Sequence, residues 1–301
     1  MVEYSLITQK PDKMVEAVDA VKVTVLMDNM VPFGAPYTAE HGYSLYVEVF
    51  RGDHTLRLIL DAGNTSASLS ANLRRAEVPL QGLNMIYLSH CHHDHTGGLE
   101  WILENRESPT LIVAHPQIFR NTFKLSGQLK NIGMSVSQKR ITELGGTLFL
   151  IKNAVELFPG VVSSGEIQRT TAFEAKEAGR YTIDESGTLV NDQMKDDMAL
   201  IINIRDKGLL VLGGCCHAGI VNTLRHAVKI TGIRQVHGVV GGLHLASAGE
   251  ELIDQTIDGI QGFSPSHVYA GHCTGFQTLK KLSDIQGFEF APLGVGMRLH
   301  F

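Results

Sequence analysis

Ser89-His90-Cys91-His92-His93-Asp94-His95-Thr96-Gly97-Gly98 is the stretch that decides the reading of this chain. It follows a short apolar strand, Met85 to Leu88, and leads into a helical stretch, Leu99 to Asn105. His90 and His92 are two apart, so at a strand end their side chains share one side. The chain then turns and brings Asp94 and His95 to a second position nearby. Imidazoles and a carboxylate together suit Zn, Mn or Fe. Four ligand-type side chains between His90 and His95 supply about half of a two-metal site. His93 alternates away from His92 and is not expected to ligate. Gly97-Gly98 predicts a tight backbone turn beneath the site.

The rest of the composition fits a globular metalloprotein. The chain has 301 residues, 44% of them apolar, enough to bury a sizeable core. Its formal net charge of −5 argues against a nucleic-acid partner. Cys91, Cys215, Cys216 and Cys273 are too few and too far apart for a disulfide scaffold, and each adjoins a histidine cluster. That usage implies a reducing compartment. Met1 to Asp19 lacks the apolar core of a signal peptide, and no apolar run reaches membrane-spanning length. The expected location is the cytoplasm, with no membrane partner and a small molecule as substrate.

Outward from the motif, Val21 to Met27 reads as a strand, ended by Asp28-Asn29-Met30. Tyr43 to Phe50 and Thr55 to Leu60 read as a hairpin around Arg51-Gly52-Asp53. Ser66 to Glu77 is helical and Thr110 to Ala114 a strand. Pro116 to Glu143 reads as mixed helix and loop, followed by strands at Thr147 to Leu150 and Val155 to Val162. Residues 165–197 are polar and poorly periodic, and predict a long surface excursion. Met198 to Ile204 and Gly208 to Leu212 are strands. Three units of strand, glycine-containing turn with His, and helix then carry His217, His244 and His272. Gly294 to Phe301 is a final strand. The pattern predicts an α/β domain in layers, with helices outside, spanning 1–301 as one unit.

H-x-H-x-D-H after a short strand, with Asp61-Ala62-Gly63 at another strand end, resembles the metallo-β-lactamase superfamily. Several stretches resemble its 7,8-dihydropterin-6-methyl-4-(β-D-ribofuranosyl)-aminobenzene-5'-phosphate synthase-like branch. They are Glu40-His41-Gly42, Ser164-Gly165-Glu166, Gly214-Cys215-Cys216-His217-Ala218-Gly219, Gly241-Gly242-Leu243-His244-Leu245 and His272-Cys273-Thr274-Gly275. The resemblance implies a four-layer αββα sandwich with two divalent metal ions, Zn before Mn or Fe, at one edge of the two sheets.

It also implies roles. His90 and His92 match ligands of the first metal, and Asp94, His95 and His272 those of the second. Asp61 matches an Asp that orients the site from behind the ligands. The superfamily's bridging Asp is replaced by Cys215, which is expected beside the ligands. A third His for the first metal has two candidates, His217 and its rival His115. His244, after Gly241-Gly242, is expected to meet the substrate. His41, Glu166 and Arg169 are expected to bind it, the arginine through an anionic group. His54, His226, His237, His267 and His300 show no spacing signal. The implied function is a metal-dependent hydrolase, or a metal-assisted transferase of the pterin-biosynthesis type, acting on a phosphate-bearing small molecule. Asp94 would hold the nucleophilic water and His244 a developing oxyanion. The alternative is a di-iron redox protein on the same frame.

Overall fold

Alternating apolar residues along each strand give two buried faces per sheet, and each face finds a layer to cover it. The computed structural model describes residues 5–6, 15–174 and 179–301. Among these, a seven-stranded sheet runs in the order Arg298–His300, Ala20–Met27, Ser44–Arg51, His54–Leu60, Met85–Tyr87, Thr110–Ala114, Gly146–Leu150. An eight-stranded sheet runs Ser5–Leu6, Val155–Phe158, Val161–Ser163, Leu200–Ile204, Gly208–Leu212, Val236–Gly242, His267–Gly271, Glu289–Pro292.

The sheets face each other across Val23, Val25, Leu45, Val47, Leu58 and Leu60 on one side and Leu200, Ile202, Leu210 and Leu212 on the other. Tyr87 reaches across this core, its hydroxyl meeting Ser163 Oγ and Ala199 O, each at 2.9 Å. On the outer face of the first sheet, Ile59, Ile86 and Ile112 pack with Leu69, Leu73, Leu99 and Ile102 of helices Ser66–Arg75 and Leu99–Asn105. On the outer face of the second, Ile201, Leu209, Val211 and Val239 meet Val221, Leu224, Ile253 and Ile257 of helices Ile220–Thr231 and Glu250–Gln261. The architecture is the αββα sandwich. No helix among the described residues is long and apolar enough to cross a membrane.

Topology positions the site. His54–Leu60, Met85–Tyr87 and Thr110–Ala114 are parallel neighbours, so Asp61, His90 and His115 follow strand ends on one edge. Gly208–Leu212, Val236–Gly242 and His267–Gly271 are likewise parallel, and His217, His244 and His272 follow their carboxyl ends. Ligands in α/β sheets collect at such carboxyl ends.

Four expectations are corrected. Val155 to Val162 is two strands, because Pro159-Gly160 turns the chain between them, with Gly160 at φ +86°. The final strand is shorter, Arg298–His300. Pro116 to Glu143 contains the hairpin Thr122–Ser126 and Gln128–Asn131. The 165–197 excursion contains a second hairpin, Arg180–Ile183 and Leu189–Asn191, and the two hairpins join in a four-stranded antiparallel sheet. Leu125, Leu129, Ile183 and Leu189 on these strands are exposed. The little sheet therefore has no run of buried alternate residues to announce it.

Candidate metal centre

The motif begins two residues beyond the Met85–Tyr87 strand, and the short helix His93–Thr96 carries its second half. Gly97 and Gly98 make the expected turn, with ordinary right-handed backbone angles. Glycine is required there by approach. A Cβ on Gly97 would lie 1.8 Å from Asn64 O, and one on Gly98 2.4 Å from Ala62 O. That approach lets Gly97 N and Gly98 N donate to Gly63 O and Ala62 O. It presses the motif helix against the Asp61 turn.

Two donor sets stand side by side. In the first, ligand nitrogens of His90, His92 and His217 lie within 4.8 Å of one another. The His92 and His217 rings cross at 90° with centroids 4.8 Å apart, and the His90 ring is edge-on to both. His115, the rival of His217, does not enter this set. Its strand lies one place farther along the sheet. Its Nδ1 caps Gln117 N, and its Nε2 lies 3.1 Å from Glu166. Burial, with the neighbouring rings adding to it, holds His90 and His92 well below the ordinary histidine range, so both are neutral. The buried His92 Nε2 has no hydrogen-bond partner among the described residues.

The second set is built around a carboxylate. Asp94 Oδ2 lies 3.2 Å from His41 Nε2, 3.4 Å from His272 Nε2 and 3.8 Å from His95 Nε2. His95 Nδ1 donates to Asp61 Oδ2 at 2.6 Å, and Ser89 donates to both Asp61 oxygens. Asp61 thus fixes the orientation of the His95 ring and turns Nε2 toward the cluster. Burial alone would lower His95, but Asp61 and Asp94 outweigh it and raise the ring to about 9. A ring held between two carboxylates calls for positive charge at that place. Three convergent imidazoles, two of them held neutral and one with an orphaned nitrogen, call for a Lewis acid. This donor chemistry fits divalent metal ions.

Cys215 stands between the sets. Its Sγ is 3.1 Å from His95 Nε2, and it shares donor groupings with His90 and His95, with His272 and Cys273, and with His217 and His244. Its sulfur is therefore close enough to ligate. His93 turns outward as expected, its Nδ1 3.2 Å from Ile132 O.

Three turns of the second sheet aim their side chains through an uncommon backbone. Cys216, His244 and His272 have φ of +57°, +51° and +51°, and Asp61 matches them at +58°. Such non-glycine conformations cost about 1–3 kcal/mol each and persist only where surroundings over-determine them. His272 is held by Asp28 Oδ2, which accepts from its backbone N, and by Asn29 Oδ1 at 3.1 Å from its Nδ1. Neither Asp28 nor Asn29 was among the expected site residues. An acid at a strand end, as at Asp61, is the signal that marks them.

Beside the cluster lies a cavity of about 320 Å³ lined by His217, His244, Arg180, Phe173, Leu245 and Leu252, among others. The His244 ring is 4.2 Å from that of His217. Arg180 Nη2 reaches His244 Nε2 at 3.5 Å, and its charge helps depress His92. Sequence reasoning passed over Arg180 and chose Arg169 and Glu166 from the same excursion. Those two line a different cavity, with Glu166 Oε1 3.4 Å from Lys152 Nζ and Arg169 donating to Gln193 O. His41, by contrast, stacks on His272 at 5.1 Å within the second set.

Comparison with known proteins agrees with this fold. A family model described as Anti-Pycsar protein Apyc1 matches residues 48–136, the segment holding the ligand motif. The chain is 32% identical over 291 residues to the 7,8-dihydropterin-6-methyl-4-(beta-D-ribofuranosyl)-aminobenzene-5'-phosphate synthase of Methanocaldococcus jannaschii, covering 94% of this chain and 98% of that one. Among solved structures, Tm1679, a metal-dependent hydrolase of the beta-lactamase superfamily, superposes with a TM-score of 0.76 at 20% identity, covering 93% of this chain and 98% of that one. Unliganded yeast PDE1 superposes at 0.53 with 11% identity, covering 94% and 100%. The full-length similarity to the archaeal synthase places this chain in the family of that synthase, and its fold is the one seen in the beta-lactamase superfamily hydrolase Tm1679.

Proposed function

We propose that the protein is a metal-dependent hydrolase of a phosphate-bearing small molecule, with two divalent ions, Zn in the first instance. His90, His92 and His217 would hold one; Asp94, His95 and His272, with Cys215 between, the other. The observation that carries this reading is the pairing of the two donor sets with a cavity that presents Arg180 and His244. Bound metal would lower the pKa of a water toward 7 and polarise a substrate oxygen.

The chain's own residues supply the rest. Burial would raise Asp94, but His95, His272 and His41 hold it well below the ordinary carboxylate range. It is therefore ionised and able to take the proton of the attacking water. Arg180 offers a guanidinium fork to phosphate oxygens. Arg180 Nη2 lies 3.5 Å from His244 Nε2, so the guanidinium and the imidazole are presented to the cavity together. Phe173, Leu245 and Leu252 form an apolar wall for the non-phosphate part and keep water from it. The relative is named as a 5'-phosphate synthase, which supports a phosphorylated ligand. It also supports a second reading, a metal-assisted synthase reaction of the pterin type on the same residues.

The test is a substrate screen on protein purified with its native metals and assayed by elemental analysis. Phosphomonoesters, linear and cyclic phosphodiesters, a lactone and a thioester are compared. Cleavage of a phosphate ester that chelation abolishes and divalent metal restores is expected. Preference for the lactone or thioester, or activity indifferent to chelation, would overturn the reading.

A further inference from the structure

The cavity that holds Glu166 and Arg169 lies apart from the metal cluster. It measures about 780 Å³, a size suited to a nucleotide-scale ligand. Its walls come from residues 152–154, residues 164–169, residues 193–195 and the helix Ile220–Thr231. None of its lining residues also lines the cavity beside His217. Residues 193–195 face this cavity, while Asp196 and Asp197 bind Cys91 N and Ala218 N on the side of the cluster.

The charges around it are unequal. Lys152, Arg169, Lys195 and Lys229 line it against a single carboxylate, Glu166. Glu166 is shared between Lys152 at 3.4 Å and His115 at 3.1 Å. Arg169, Lys195 and Lys229 have no carboxylate within ion-pair distance among the described residues; Lys229 bonds only the neutral Gln168 side chain, at 2.8 Å. Arg169 Nη1 is buried and makes no hydrogen bond. His226, 8% exposed in the helix wall, gives Nε2 to Ser164 O at 3.0 Å, and its buried Nδ1 is unbonded. A guanidinium with donors to spare, two unpaired ammonium groups and an imidazole acceptor make a set that complements an anion bearing hydroxyl groups.

We propose that this cavity is a second ligand site, separate from the metal centre, that binds a phosphorylated small molecule. Arg169, Lys195 and Lys229 would hold the phosphate, and Glu166 and His226 would accept from its hydroxyl groups. This inference does not depend on the reaction proposed above.

Calorimetric titration with AMP and with inorganic phosphate tests it, using the metal-loaded protein. Lys195 and Lys229 are both exposed, so the double variant Lys195→Glu/Lys229→Glu keeps the fold, checked by circular dichroism and metal content. That variant is expected to bind AMP about tenfold more weakly, a difference of about 1.4 kcal/mol. His92→Ala/His217→Ala, which disables the first donor set, is expected to keep that binding. The opposite pattern, binding lost with the histidines and untouched by charge reversal, would assign AMP to the metal centre alone and overturn the proposal. Failure of both probes to bind at millimolar concentration would also overturn it.

Discussion

The two donor sets are neighbours, yet they are built on opposite electrostatic plans. His90, His92 and His217 form a buried group of imidazoles without a carboxylate among them, and burial holds His90 and His92 neutral. Asp94, His95 and His272 form a charged group, with Asp61 behind one ring and Asp28 behind the backbone of another. The first set attracts a cation only through lone pairs. The second also attracts it through formal charge. The same edge of one fold therefore offers one place that selects by ligand softness and geometry and another that concentrates positive charge.

The largest expected effect separates the two sets directly. Asp94→Ala removes the charge of the second set and the proposed proton acceptor. Activity is expected to fall by about 10²–10⁴-fold, the usual scale of general acid–base catalysis. Elemental analysis of the same variant should show loss from the second set with the first retained. Equal depletion of both would mean that the sets act as one, and the contrast drawn here would fail.

A smaller effect is expected from Asp61→Asn, which keeps the shape but deprives His95 of its anionic partner. Partners behind metal ligands are worth about 10–100-fold in affinity or activity. A titration of metal into the variant checks this, and unchanged affinity would remove Asp61 from the site. Arg180→Ala is expected to act on a similar scale, but through substrate binding. Loss of one charge-assisted hydrogen bond is worth about 1.5–3 kcal/mol, expected in KM for a phosphorylated substrate, with kcat largely kept. A drop confined to kcat would instead place Arg180 at the reacting atoms.

The sequence carried the layers and much of the cluster, for an identifiable reason. Strands such as Leu200–Ile204 are continuous apolar runs buried along nearly their whole length, and His90 to His95 are local, so both are visible in a short window. The choice between His115 and His217 was not visible, because both end central strands. Only the distance between strands and the pull of Glu166 separate them. Arg180 was invisible for a different reason. It arrives on an exposed hairpin whose pairing with Thr122–Ser126 joins segments more than fifty residues apart. Glu166 and Arg169 lay in a suggestive stretch, but the chain folds them into a different cavity, lined also by residues 193–195.

The two glycines after the motif have a consequence for how such chains are compared. Gly97 and Gly98 are held by backbone lying on backbone, and no ligand atom takes part. A descendant could lose every histidine of the cluster and still need both glycines to fold. The Gly-Gly pair is thus a mark of inherited scaffold, while His90, His92, Asp94 and His95 are a mark of inherited chemistry. A relative that keeps the former without the latter has the architecture of an enzyme and none of its trade.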